Sequence, residues 1–170
     1  MKYEVHMAAE AAKHELIMCL MRQEREYAEQ AVKCEERGDY KTALTYAIDM
    51  RAVQKKREAI ESADVVRVVT SNNDAFVVFL VRVKEFVAAR VKEIYKQLFL
   101  LALRPWEADK ALLDTALLDV ELVASDLQQF AERYPASIHE YLDYLRAIPR
   151  DVECILKEIG TYMKKAACTA

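Results

Sequence analysis

The sequence predicts an all-α protein, an elongated bundle built on a long antiparallel helical hairpin with further helices packed against it. Three observations lead there. Glycine occurs only at Gly38 and Gly160, and proline only at Pro105, Pro135 and Pro149, in 170 residues; an average chain of this length carries about a dozen glycines and eight prolines. Sandwiches and barrels need those turn residues. Phosphate loops, dinucleotide fingerprints and nucleophile elbows need glycines in clusters. Second, apolar residues make up 54% and charged residues 31%, which supports a core and excludes a disordered chain. Third, apolar positions recur at steps of three and four over long stretches.

The first helix is predicted from about Tyr3 to Arg37. Ala9, Ala12, Leu16, Cys19, Leu20, Tyr27, Ala31 and Cys34 form its apolar side. At 1.5 Å per residue it is roughly 50 Å long. Gly38 suits the C′ position that ends a helix, and Asp39 the cap that starts the next. This tight connection makes the first two helices an antiparallel hairpin, spanning 3–70. Ala43, Leu44, Ala47, Met50, Val53 and Ile60 give the second helix its apolar side. The β-branched run Val65 to Thr70 reads as helix, because no other strand exists to pair with it. Ser71 to Asp74 is a polar break that supplies a new cap.

An apolar helix follows over 75–103 and ends before Pro105. Pro105 suits the first turn of the next helix, predicted over 106–133. Pro135 and Pro149 divide the rest into two short helices, about Ser137–Ile148 and Asp151–Lys165. The expected organisation is a helical core over 1–133 and a C-terminal helical tail over 134–170.

The net charge is −3, which argues against a nucleic-acid binder. His6 and the glutamates of the first residues interrupt any signal-peptide core. The longest apolar run, Ala75 to Val81, falls far short of the ~20 residues that span a bilayer. A soluble, cytoplasmic protein is expected. Cys19, Cys34, Cys154 and Cys168 form no CxxC pair and are read as unpaired thiols. Glu10 and His14 lie one turn apart but lack the second Glu-x-x-His helix of a di-metal bundle; no metal or other cofactor is expected.

Charge is unevenly placed. Residues 40–104 hold 12 basic and 7 acidic residues, while residues 105–170 hold 7 basic and 12 acidic. Glu107, Asp109, Asp114, Asp119, Glu121 and Asp126 stand in one helix with Lys110 as the only nearby cation before Arg133. A basic middle and an acidic helix attract each other, modestly and in a salt-sensitive way where exposed.

The stretch Glu35 to Arg51, with its Arg37-Gly38-Asp39 turn, leads into Ala43–Arg57, Ala-rich and then rich in Arg and Lys. With the Arg104-Pro105-Trp106-Glu107 break before the acidic helix, this layout resembles the ESCRT-III (Snf7) family, including its archaeal cell-division members, over about residues 5–130. The resemblance implies a non-enzymatic protein that polymerises with itself or related subunits on anionic membrane. Arg51, Lys55, Lys56 and Arg57 would then contact lipid phosphates, each worth about 1 kcal/mol. The acidic helix would fold back and hold a closed state. Leu142, Leu145, Arg146 and Ile148 loosely resemble the family's helical motif for recruiting a disassembly ATPase. Two readings compete with it. One is a helical protein-interaction module of no named family. The other is a ribonuclease loosely resembling the HEPN type, with Arg133 and His139 as its charge-stabilising and acid–base pair.

Overall fold

The computed structural model describes residues 2–133 and 135–169. The chain is all-α, 93% helical, with no strand among the described residues. Its helices are α1 (Lys2–Glu36), α2 (Tyr40–Ser62), α3 (Val65–Ser71), α4 (Asn73–Leu103), α5 (Lys110–Ala131) and α6 (Ala136–Thr169), with a 3-10 turn at Pro105–Glu107. Contacts divide it into two compact units, Met7–Leu80 and Met1–His6 with Val81–Ala170.

The unit Met7–Leu80 is organised by the hairpin. Gly38 takes φ +74°, the left-handed region that a β-carbon disfavours. Its N–H donates to the Glu35 carbonyl and that of Asp39 to the Cys34 carbonyl, both at 2.9 Å, the paired bonds of a Schellman ending. Asp39 then caps α2, accepting from the Thr42 N–H. Hydrogen bonding from Thr42, its side chain first and its backbone N–H second, holds the Asp39 carboxyl below its ordinary pKa. The two helices run antiparallel. Tyr27 lies 6.2 Å from Tyr46, ring centre to ring centre, and Arg57 reaches Glu24. Lys13 Nζ donates to the carbonyls of Glu61 (3.1 Å) and Ala63 (2.9 Å), closing the end of α2. Ala8, Ala9, Ala12, Leu16, Leu20, Val68, Val69, Ala75 and Phe79 are buried.

The second helix is shorter than the hairpin span of 3–70. It stops at Ser62, Ala63 is extended, and Asp64 caps a separate α3 by accepting from the Val66 N–H. The helical reading of Val65 to Thr70 holds. So does the cap in the polar break: Asn72 Oδ1 accepts from the N–H groups of Asp74 and Ala75.

The other unit packs the later part of α4 with α5 and α6. Val83, Val87, Ile94, Leu98 and Leu100 of α4 are buried, as are Leu113, Ala116, Val120, Val123 and Leu127 of α5. Ile138, Leu142, Leu145, Ile148 and Val152 of α6 join them, with α6 laid against α5. Two expectations are corrected here. Pro105 does not start the long helix: Pro105–Glu107 is a single 3-10 turn, Ala108 is extended, and α5 begins at Lys110 under an Asp109 cap. The buried Gln97 fixes that start, its Oε1 accepting from the Asp109 N–H at 2.7 Å. Nor does Pro149 split the tail. α6 continues through it, because Leu145, Ile148 and Val152 on either side are all seated in the core, which offsets the missing N–H.

Candidate interaction face of the helical hairpin

α2 is 23 residues long and none of them is buried. Its inner seam toward α1 is half-buried: Ala43, Tyr46, Ala47, Met50, Val53 and Arg57. Leu44, expected in that seam, is 61% exposed; it sits about 100° round the helix from Ala43. Tyr40 and Ile48 are likewise exposed, at 69% and 59%. Tyr40, Leu44, Ile48, Arg51 and Lys55 follow one another at steps of four, four, three and four, so they form a single outward stripe. It runs from three large apolar side chains beside the turn to two cations beyond them. The sequence shows this spacing, but Leu44 is one residue from the seam position Ala43 and periodicity alone merges the two.

The four basic residues expected to touch lipid are not equivalent. Arg51 is exposed and donates to the Gln54 carboxamide at 3.1 Å. Lys55 and Lys56 are exposed. Arg57 is different: its guanidinium is clasped by Glu24 of α1 and by Glu61 one turn on, the latter at 2.8 Å. Glu24 first and Glu61 second raise its pKa further. Arg57 ties the hairpin together in this conformation.

The acidic residues of α5 also separate. Glu107 pairs with Arg104 at 3.1 Å. Asp109 is the cap, accepting from the N–H groups of Ala111 and Leu112. Asp114 and Glu121 are exposed, and Asp126 is half-buried. Asp119 is buried and meets Arg90 Nε at 2.8 Å; Arg90 in turn lies 4.8 Å from the centre of the Phe86 ring. Asp119 thus brings one acidic residue of α5 against a cation of α4.

Leu142, Leu145 and Ile148 lie in the core of their unit, so a partner reaches them only if α6 parts from α5. Arg146 is exposed and donates to Gln128. Arg133 and His139 are exposed on either side of Pro135, at the end of α5 and the start of α6. Glu10 and His14 are exposed. Among the described residues no three His, Cys, Asp or Glu side chains gather to hold a metal ion. The cysteines are unpaired: Cys19, placed on the apolar side by the sequence, is exposed, as are Cys154 and Cys168, and Cys34 is half-buried. No helix among the described residues is long and apolar enough to cross a membrane.

No protein-family model matches the sequence. Comparisons with curated proteins and with solved structures find no match either.

Proposed function

We propose that this is a non-enzymatic helical assembly protein, of the kind the ESCRT-III resemblance implies, that settles on anionic membrane through the outward face of α2. The observation that carries the reading is the stripe of Tyr40, Leu44 and Ile48 in line with Arg51 and Lys55 on a helix with no buried residue. Apolar side chains on one face enter the headgroup–acyl boundary, a tyrosine ring sits well at that depth, and flanking cations meet lipid phosphates. The unit Met7–Leu80 holds 11 basic and 13 acidic residues, so the attraction is local to this face and belongs to no net charge. Self-association, with the exposed acidic residues Asp114 and Glu121 helping to hold a closed form, completes the proposal.

The test is co-sedimentation of the full chain with phosphatidylserine vesicles at low and high salt. Wild type pellets at low salt and is released by high salt. Leu44→Asp/Ile48→Asp and Arg51→Glu/Lys55→Glu each lower the vesicle partition coefficient at least tenfold, from about 1 kcal/mol per cation and ~0.8 kcal/mol per buried methylene. Pelleting that ignores both variants rejects the face.

A further inference from the structure

On the same unit, the end of α2, α3 and the α3–α4 junction line a surface groove of about 520 Å³, within the range of small-molecule sites. We propose that this groove binds a phosphate ester that carries an apolar portion. The proposal does not depend on the stripe of α2.

Three donors come to the groove from three places in the chain: Lys56 from α2, Arg67 from α3 and Asn72 from the α3–α4 junction. Lys56 and Arg67 are exposed, and among the described residues neither is paired with a carboxylate. Asn72 uses its carboxamide oxygen to cap α4, which leaves the NH₂ of the same group as a donor. A guanidinium, an ammonium and a carboxamide NH₂ are the donor types that phosphate oxygens take.

Of the carboxylates next to the groove in sequence, one is paired with a cation and two accept hydrogen bonds from neutral donors while keeping their charge. Glu61 is held by Arg57, Asp64 by the Val66 N–H, and Glu58 accepts from Gln54. The carbonyl end of α2, which repels an anion, is occupied by Lys13 Nζ. The rest of the lining holds an apolar wall, Ile60, Ala63 and the buried Val68, beside the hydroxyls of Ser62 and Ser71, which donate to the carbonyls of Glu58 and Arg67. A bare phosphate leaves that wall in water. A phosphate joined to a short hydrocarbon or glycerol ester covers it.

The ligand chemistry has two sources, a lipid headgroup or a soluble phosphate ester, and calorimetry on the full chain separates them. The probes are monomeric dihexanoyl phosphatidic acid, inorganic phosphate, and vesicles containing phosphatidic acid. The monomer binds, and inorganic phosphate binds at least tenfold more weakly. Lys56→Ala/Arg67→Ala lowers affinity for the monomer at least tenfold. Asn72→Asp keeps the cap oxygen, exchanges the donor for a negative charge, and lowers affinity several-fold with thermal stability unchanged. If vesicle binding falls with these variants, the source is lipid; if only monomer binding falls, it is a soluble ester. No monomer binding by wild type, or equal binding by wild type and both variants, overturns the proposal. Inorganic phosphate binding as tightly as the monomer overturns its apolar half. Leu44→Asp/Ile48→Asp leaves monomer binding intact, so loss of the stripe and loss of the groove read out separately.

Discussion

At the scale of single residues, two buried polar side chains set the architecture of the later unit. Gln97 is 2% exposed and both ends of its carboxamide are engaged: its Nε2 donates to Glu93 at 2.7 Å and its Oε1 accepts from the Asp109 N–H. Gln97→Leu keeps the volume and strands that N–H, so chemical denaturation should show a loss of about 1–3 kcal/mol. Asp119 sits on the buried face of α5 opposite Arg90. Arg90→Ala leaves that carboxylate buried without its cation and costs about 1–3 kcal/mol, discounted because Arg90 is partly exposed. Arg90→Met/Asp119→Leu removes both charges and recovers most of the loss; losses that add across the Arg90→Met and Asp119→Leu singles in this double-mutant cycle would show the pair to be uncoupled. From sequence Asp119 is grouped with the other acidic residues of its helix, although its spacing, three residues after Ala116 and four before Val123, both core positions, carries the signal of its burial. Gln97 was not legible, since its role depends on a backbone group twelve residues away that only the folded chain brings near.

At the scale of elements, local chemistry was readable and tertiary override was not. The glycine at the C′ position, the Asp39 cap and the polar break at Asn72 act within a few residues, and each appears where the sequence puts it. Pro149 reads as a helix end on the same local grounds, yet α6 runs through it. The packing of Leu145, Ile148 and Val152 decides the matter over a distance that no local rule covers. That packing works against the proline. Pro149→Ala restores the N–H that the helix lacks, so thermal denaturation should show stabilisation of about 1–3 kcal/mol. No gain would mean that the backbone around residue 149 has already adapted to the ring. The pH response of the hairpin turn has a fixed sign. The Asp39 carboxyl is depressed by hydrogen bonding from Thr42, side chain first and N–H second, so its contribution is present above the unfolded carboxyl pKa and is lost as pH falls through the folded value. Asp39→Asn keeps the cap acceptor and should flatten that acid limb in a pH series of melting curves.

At the scale of the whole molecule, the two units differ in how their helices are covered. α5 buries Leu113, Ala116, Val120, Val123, Ala124, Leu127 and Phe130 along its length, whereas α2 buries nothing. Opening free energy follows buried apolar contact, so amide exchange should separate them. Peptides from 40–62 should exchange at least tenfold faster than peptides from 113–130 in dilute solution. The proposed assembly adds a second dimension to the same measurement. If copies of the chain or a membrane cover the outward stripe of α2, protection of Tyr40 to Lys55 rises with protein concentration or with anionic vesicles. Protection of α5 does not. Arg51→Glu/Lys55→Glu lies outside both cores and should abolish the rise without changing the dilute baseline. Protection of α2 that matches α5 when dilute would mean the helix is covered within the single chain, and the outward face would then lose its claim as the contact surface.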